Sequence, residues 1–357
     1  MIEGRLRPVM EVSSGNFYEF GRQLRGTIFG QVNHAIKVIR NEETGVYSRA
    51  QPLQQYAIKI YFRSKLRELN GRSQENPHQE IAAMQFIGND HVHVMGQIEC
   101  CGDNDNIYSV MDFSDGMELF DYVDQNGPLN EETAKRIFYQ ILQGTQRIHS
   151  MDIGHRDMSL ENVMVSRSGV ARIIDFGMSL RLPRRDDGAV LNIRPQGACG
   201  KKNYVSPEVI ANRTPFNPQL SDIWALGVKL FIMLTGLPVV DMAYDLDERY
   251  QMVKAGRLGH MLLHWNITLS AEAVDLMTRI LRPVPAERLS LDQILAHPWM
   301  ASVVPPAQAA AAVSAASVSA SLTGAASAAV PLAAVESVAE SATESAEDSS
   351  EAMRTDA

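Results

Sequence analysis

The sequence has 357 residues and a formal net charge of −9, and residues 301–357 carry seven of its carboxylates against the single cation of Arg354. The rest of the chain is therefore near neutral, which argues against a broad basic surface for nucleic acid. The chain has three cysteines, two of them the neighbours Cys100 and Cys101, and this number and spacing argue against a disulfide framework and a paired-cysteine zinc site. No stretch is apolar enough for a membrane span, so we expect a protein of the cytoplasm or nucleus that binds neither nucleic acid nor membrane.

The first part of the chain follows an N-terminal extension at residues 1–16 and is rich in short β-strand patterns. Such patterns occur in Ala35–Ile39, Tyr56–Phe62 and Ile107–Phe113, and one helical pattern lies around Gln79–Ile87. They predict a small β-sheet accompanied by one main helix.

Helical patterns dominate from Leu119 onward. Asn130 can cap a helix that runs to Ser150, because its side-chain oxygen can accept bonds from the free N–H groups of the first turn. The stretch Ser221–Thr235 is apolar nearly all round, and Gly236 is placed to end it. We expect this helix in the core of a second, larger lobe.

The composition changes abruptly after Trp299. Residues 301–357 are acidic, rich in Ala and Ser, and contain no aromatic residue. Such a segment cannot bury enough apolar surface to offset its chain entropy. The sequence therefore predicts one folded domain at 17–300 and a disordered, low-complexity tail at 301–357.

Residue types suited to phosphoryl transfer occur in order along the predicted domain. The reaction needs a cation on the phosphates, oxygen ligands for Mg²⁺ and a carboxylate beside the attacking hydroxyl. The segments that can supply these groups are Tyr56-Ala57-Ile58-Lys59, His155-Arg156-Asp157 with Asn162 five positions later, and Asp175-Phe176-Gly177.

Together these segments resemble the eukaryotic protein kinase superfamily of the Ser/Thr type, and the resemblance covers residues 17–300. The ending of the domain is most similar to the calmodulin-dependent and Snf1-like groups. The resemblance implies an α+β fold with two lobes, one small and β-rich, the other larger and helical, with ATP and Mg²⁺ bound between them. Its further motifs are Ser206-Pro207-Glu208, the helix that contains Asp222, and Arg288, which the family pairs with Glu208.

The resemblance assigns a role to each catalytic candidate. Asp157 is the base for the substrate hydroxyl, and Asn162 and Asp175 are the Mg²⁺ ligands. Lys59 faces the phosphates of ATP and needs a carboxylate from the small-lobe helix to hold it there. Glu80 is favoured over Glu75 for this contact, because Glu80 lies within the helical pattern.

The implied nucleotide site combines residues of the glycine loop, the sheet, the hinge and the larger lobe. Met111 takes the gatekeeper position, and Glu118 stands where the family contacts the ribose or a basic substrate residue. The full set of implied nucleotide-binding residues is Gly26, Gly30, Val32, Ala57, Lys59, Glu80, Met111, Asp112, Ser114, Glu118, Met164 and Asp175.

The glycine loop departs from the family pattern. Gly30 and Val32 match it and Gly26 is one position away, whereas Arg25 and Thr27 stand where the family has glycine. Glycines there let backbone amides approach the phosphates closely. The departure keeps one alternative open, a pseudokinase that acts as an ATP-binding or scaffold module without turnover.

In two further departures from the family pattern, a lysine and a hydroxyl residue have exchanged positions. Ser159 stands where the family carries a lysine two residues after the base Asp157, and Lys201 stands where it carries a threonine. We predict that Lys201 and Ser159 meet beside Asp157 and act in catalysis. The alternatives are a Lys201 side chain in solvent, or the same role for Lys202.

The predicted activation segment, Asp175 to Glu208, lacks the Ser, Thr or Tyr residue that usually accepts a regulatory phosphate. Between Ser179 and Tyr204 there is no Ser, Thr or Tyr, so a phosphate that would bind Arg156 cannot form there. Asp186 and Asp187 are candidates for a fixed substitute. We expect activity without phosphorylation of this segment.

The implied partner is a protein substrate. Glu118 and Glu161 match positions that favour arginine upstream of the phosphorylated residue, so the resemblance implies a preference for basic residues there. No basic amphipathic helix follows the domain, and calmodulin is therefore not indicated as a partner.

Overall fold

The computed structural model describes residues 9–12 and 14–303. The tail predicted at 301–357 lies outside the described residues from 304 onward. Of the predicted extension, residues 9–12 and 14–16 are described, and Val12 is buried in the core of the sheet.

The first lobe is built on an antiparallel sheet of seven strands. The strands are β1 (Val9–Glu11), β2 (Phe17–Thr27), β3 (Gly30–Arg40), β4 (Tyr47–Arg49), β5 (Gln55–Phe62), β6 (Glu99–Gly102) and β7 (Asn106–Asp112). Their order is β1-β2-β3-β5-β7-β6, and β4 pairs with the last residues of β3 on the edge that β5 also occupies. The predicted strands are confirmed as β3, β5 and β7.

Two helices accompany this sheet where the sequence predicted one. The additional helix, α1 (Arg63–Glu68), buries none of its residues and therefore has no apolar face that a pattern could reveal. The predicted helix is α2 (Pro77–Ile87), which begins two residues early because Asn76 caps it and Pro77 fits the first helical position. Glu80 on α2 is buried and lies beneath the sheet.

The second lobe is mainly helical, so the predicted two-lobed α+β fold is confirmed. Two small sheets lie at its boundary with the first lobe, one of β8 (Met117–Glu118), β10 (Val163–Val165) and β11 (Ala171–Ile173), the other of β9 (Ile153–Gly154) and β12 (Leu180–Arg181). Its α-helices are α3 (Leu119–Asn126), α4 (Glu131–Ser150), α5 (Pro207–Ala211), α6 (Pro218–Thr235), α7 (Glu248–Lys254), α8 (Leu258–His264), α9 (Ala271–Ile280) and α10 (Leu291–Leu295). Short 3₁₀ helices occupy Leu160–Asn162, Pro285–Glu287 and Pro298–Met300.

Helix α6 forms the centre of the second lobe, as its apolar pattern predicted. It begins at Pro218, three residues before the predicted start, because Asn217 accepts a bond from the Gln219 N–H at 2.9 Å. Gly236 ends it with a φ of 71°, a left-handed conformation that suits glycine. Within residues 9–12 and 14–303, no helix is both long and apolar enough to cross a membrane.

Helix α6 also buries a lysine that the sequence analysis did not single out. Lys229 is 0% exposed, and its Nζ has no hydrogen-bond partner among the described residues. Burial lowers the pKa of Lys229 to about 7, although the charges of Asp222 and Asp157 oppose the shift. Below pH 7 the fold therefore carries a buried ammonium, which is unfavourable.

Replacing Lys229 by methionine should stabilise the protein. At pH 6 we expect the free energy of unfolding of Lys229→Met to exceed that of wild type by about 2 kcal/mol, because an apolar side chain of similar length removes a buried unpaired charge. Between pH 7 and about 10, the unfolded chain keeps a proton that folded Lys229 has released, so the wild-type protein should gain stability as the pH rises. The advantage of the variant should shrink over the same range.

Urea unfolding of both proteins at pH 6, 7.5 and 9 measures this difference. Lys254→Met is the matched control, because Lys254 is exposed on α7 and forms an ion pair with Asp245 at 2.8 Å. A Lys229→Met protein less stable than wild type at pH 6 would contradict the prediction.

Candidate active site

A cleft of about 1630 Å³ lies between the seven-stranded sheet and the second lobe. Both lobes contribute to its wall: the sheet and α2 provide Lys59 and Glu80, and the second lobe provides Asp157, Asn162 and Asp175. The principal catalytic candidates of the sequence analysis are thus gathered around one cavity.

Lys59 and Glu80 form a buried ion pair at the sheet side of the cleft. Strand β5 carries Lys59 and helix α2 carries Glu80, and the distance between Nζ and Oε1 is 2.5 Å. Burial alone would lower the pKa of Lys59, but the charges of Glu80 and Asp175 outweigh it and raise the pKa. Lys59 is therefore a cation, and its carboxylate partner is Glu80 as the sequence predicted. Glu75 also lines the cleft.

The loop that carries Asp157 is fixed from below by helix α6. The buried carboxylate of Asp222 accepts bonds from the backbone N–H groups of His155, at 2.8 Å, and Arg156, at 2.9 Å. Arg156 has a φ of 68°, an unfavourable conformation for a side chain that this pair of bonds can stabilise. The loop is thereby held in one conformation at the floor of the cleft.

Asn162 orients the side chain of Asp157. Its Nδ2 donates to Asp157 Oδ2 at 2.7 Å and to the Asp157 carbonyl oxygen at 2.8 Å. The other carboxylate oxygen, Oδ1, is buried and has no hydrogen-bond partner in the described part of the chain. Asp157 is therefore positioned as an acceptor with one oxygen left for a ligand.

The donor groups at this side of the cleft suit a hard divalent cation. The NH₂ of Asn162 is used by Asp157, which leaves the amide oxygen as its ligand atom. Burial raises the pKa of Asp175, but Lys59 and the Gly177 N–H outweigh it, so the pKa lies below the ordinary value and the group is ionised. A carboxylate and an amide oxygen are the ligands that Mg²⁺ prefers.

The predicted nucleotide-binding residues largely line the same cleft. Val32, Ala57, Met111 and Met164 provide apolar surface on opposite walls, suited to a flat aromatic base. The cleft is also lined by the predicted residues Gly26, Asp112, Ser114 and Glu118. Asp112 forms an ion pair with Arg172 at 3.3 Å.

Among the predicted nucleotide-binding residues, Gly30 lies outside the cleft lining, and the predicted catalytic residue Ser159 lies outside it as well. It lies where β3 pairs with β5, and a Cβ atom added to it would overlap the carbonyl oxygen of Ile60. Gly26 lines the cleft, and a Cβ added to it would have as its nearest neighbour Gln23 Nε2, at 3.8 Å. Strand packing therefore explains the glycine at position 30.

Ser159 and Lys201 meet, as the sequence analysis predicted. Lys201 Nζ donates to Ser159 Oγ at 2.8 Å and lies 3.2 Å from Glu161 Oε2. The neighbouring Gly200 has a φ of 89°, and an added Cβ would come within 2.8 Å of the Arg156 carbonyl oxygen. Only a glycine at position 200 lets the backbone there approach the loop that carries Asp157 so closely. The Lys201 ammonium is thereby held against the loop that carries Asp157.

Arg25 and Glu118 form an ion pair across the mouth of the cleft that the sequence analysis missed. Arg25 lies near the end of β2, at a position where the family has glycine, and Glu118 precedes α3 in the other lobe. No sequence pattern links two residues on different lobes. The one sequence feature that could have indicated this pair is the long, charged side chain of Arg25 at a position where the family has glycine.

The activation segment is anchored by a second pair that the sequence analysis missed. Arg184 donates to both carboxylate oxygens of Asp152, at 2.6 and 2.5 Å. Asp152 precedes the catalytic loop, is 8% exposed and has a φ of 60°. Asp186 and Asp187, the candidates for a fixed substitute of the phosphate, both lie exposed in a turn. The Arg156 side chain instead donates to the Met178 carbonyl oxygen at 3.4 Å.

The segment following this anchor is joined to the second lobe by a further predicted pair. Arg288 Nη2 donates to Glu208 Oε2 at 2.6 Å, and the Arg288 side chain is 0% exposed. Burial raises the pKa of Glu208, but the Arg288 guanidinium outweighs it, and the pKa falls below its usual value. The predicted Glu208–Arg288 contact is thus confirmed.

Comparison with known proteins agrees with this geometry. The family described as "Protein kinase domain" matches residues 44–300. CBL-interacting protein kinase 1 of Oryza sativa subsp. japonica is 35% identical over 285 residues, which cover 79% of this chain and 55% of the relative. CBL-interacting serine/threonine-protein kinase 1 of Arabidopsis thaliana is 34% identical and covers 79% of this chain and 57% of the relative.

A third relative supports the predicted likeness to the Snf1-like group. The SNF1-related protein kinase catalytic subunit alpha KIN12 of Arabidopsis thaliana is 32% identical over 291 residues, which cover 81% of this chain and 52% of the relative. The chain thus spans little more than half the length of these relatives.

Proposed function

This chain belongs to the protein kinase family, and on that premise we propose that it transfers the γ-phosphoryl group of ATP, with Mg²⁺, to Ser or Thr hydroxyl groups of protein substrates. The observation that carries the proposal is the set of groups around one cleft. The buried Lys59–Glu80 pair, at 2.5 Å, lines this cleft from the first lobe, and Asp157, Asn162 (2.7 Å from Asp157) and Asp175 line it from the second.

Each group has a task that its environment explains. Lys59 holds a positive charge toward the cleft, where the phosphates of ATP would bind, and Glu80 restrains it. Mg²⁺, when bound, neutralises charge on the phosphates, and Asn162 and Asp175 are the residues that would hold it. Asp157, oriented by Asn162, accepts a hydrogen bond from the substrate hydroxyl and takes its proton.

Lys201 supplies the cation beside this base. Its ammonium is fixed by Ser159 and Glu161 and can stabilise negative charge that develops on the transferred group. In this proposal Lys201 replaces the lysine that the family carries at the position of Ser159.

Two measurements test the proposed function against a catalytically inactive binding module. The first is thermal stabilisation of the protein by ATP with and without Mg²⁺, and the second is phosphate transfer to a library of Ser- and Thr-containing peptides. Stabilisation that needs Mg²⁺ together with transfer supports the kinase. Stabilisation without transfer to any peptide would favour a pseudokinase and refute the proposal.

Activity should not require phosphorylation of the activation segment, because the Asp152–Arg184 contact already links that segment to the catalytic loop. We expect Arg184→Gln to lower peptide turnover by roughly fivefold or more, since Asp152 loses a bidentate, charge-assisted contact. Arg185→Gln is the matched control, because Arg185 is the exposed neighbour.

Phosphatase treatment supplies the complementary measurement. Wild-type protein should keep its activity after treatment, as judged by the peptide assay and by mass spectrometry of residues 176–205. Loss of activity, together with a phosphate mapped to that range, would show that the segment depends on modification.

A further inference from the structure

Two of the carboxylates that line the cleft are already paired with cations of this chain. Glu118 pairs with Arg25 from the opposite lobe, and Glu161 lies 3.2 Å from Lys201 Nζ. All four side chains line the same cleft as Asp157. At these two positions a peptide that brings a hydroxyl to Asp157 meets ion pairs rather than free negative charges, while Asp115 and Asp121 line the same cleft as exposed carboxylates.

The exposure of the two pairs decides which charge a peptide meets. The Arg25 side chain is 61% exposed whereas that of Glu118 is 17% exposed, and Lys201 is 40% exposed against 23% for Glu161. In both pairs the cation is the outer partner. The Arg25 guanidinium has five N–H donors, and its contact with Glu118 leaves donors for a second carboxylate.

A basic peptide residue would have to compete with Arg25 for Glu118 and would approach a like charge. An acidic residue would meet the exposed guanidinium without breaking the existing pair. Like-charge contact at an interface is a common source of discrimination between partners. At a peptide position that contacts Arg25, the ion pairs therefore argue against the basic preference that the resemblance implies for Glu118 and Glu161.

We propose that the Arg25–Glu118 and Lys201–Glu161 pairs make this cleft select protein segments with acidic rather than basic side chains beside the phosphorylated residue. The inference rests on the proposed kinase function. Arg25 is its specificity-determining residue, because it lies at the cleft mouth, away from the Asp157–Asn162–Asp175 group.

The test compares matched peptides in which a single Ser lies in an alanine background. At each position flanking the Ser, in turn, Arg, Ala or Glu is placed, and kcat/KM is measured at saturating ATP and Mg²⁺. For wild type we expect at least one flanking position where kcat/KM is about fivefold higher with Glu than with Arg. This is the size expected when an exposed attraction to Arg25 replaces an exposed repulsion. Arg25→Gln should abolish or reverse that ratio.

Arg40→Gln is the matched control, because Arg40 is an exposed cation on β3 of the same sheet, does not line the cleft, and its loss should leave the ratio unchanged. The proposal is overturned if wild type prefers Arg over Glu, or if Arg25→Gln changes the ratio no more than Arg40→Gln does. Comparing ratios between peptides cancels any effect of either variant on ATP affinity.

A binding measurement separates this inference from the kinase proposal. Fluorescently labelled versions of the same peptides, with Ala in place of the Ser, are titrated with protein and followed by anisotropy. Tighter binding of the Glu peptide, lost in Arg25→Gln, supports the inference even where no phosphate is transferred. Tighter binding of the Arg peptide overturns it even where transfer is fast.

Discussion

Asp157→Asn is expected to lower kcat for peptide phosphorylation by on the order of 10² or more, because the variant loses both the charge and the proton acceptor beside the attacking hydroxyl. In the folded protein Asp157 Oδ2 accepts a bond from Asn162 at 2.7 Å, and Oδ1 is buried with no partner in the described residues. An amide at this position keeps the shape of the side chain but cannot take the proton.

Folding should survive this change. The backbone around Asp157 is held by Asp222 through the His155 and Arg156 N–H groups, and these bonds do not involve the replaced carboxylate. Melting temperature and ATP-dependent stabilisation should therefore remain close to wild type. Asp124→Asn, an exposed carboxylate on α3, is the control that should leave kcat unchanged. Wild-type turnover in Asp157→Asn would refute the catalytic assignment.

Lys59→Met should reduce turnover to a similar extent and should also reduce stability. The variant leaves Glu80, which is 3% exposed, without its cation at 2.5 Å, and breaking one partner of a buried pair is costly. Adding Glu80→Gln to Lys59→Met should restore the melting temperature but not the turnover. Recovery of both would mean that Lys59 acts through the fold alone.

Ser159 and Lys201 should show strong energetic coupling in kcat/KM. Ser159→Lys alone brings a second ammonium to the Lys201 ammonium, which now lies 2.8 Å from Ser159 Oγ. Lys201→Thr alone leaves Asp157 and Glu161 without the cation that lies 3.2 Å from Glu161 Oε2. Each single variant should lose roughly tenfold or more, since both disturb charge beside the base.

The double variant restores a lysine and a hydroxyl in exchanged positions. Turnover should recover in part, and the coupling energy from the four proteins should exceed roughly 1 kcal/mol. Lys202→Thr is the matched control because Lys202 is the exposed neighbour, and it tests the alternative that Lys202 supplies the charge. Simple additivity of the two losses would show that the contact has no catalytic role.

Local signals in the sequence predicted strands β3, β5 and β7 and helices α2, α4 and α6, whereas the two-lobed fold followed from the family resemblance. The β-rich runs of the three strands, the Asn130 cap of α4 and the apolar run of α6 each depend on residues that are near one another in the chain. Boundaries moved where a cap lay just outside the pattern, as Asn217 does for α6. The short α1 was missed because it buries none of its residues and so has no apolar periodicity.

The sequence by itself also determined the catalytic candidates, because the order of Lys59, Asp157, Asn162 and Asp175 carries the family resemblance. Only the tertiary structure decided what neutralises the charges around them. The pairs Arg25–Glu118, Lys201–Glu161 and Asp152–Arg184 join separate segments of the chain. A charge in a sequence does not specify its partner, because electrostatic contact depends on distance in space and on burial, and both arise only when the segments pack together.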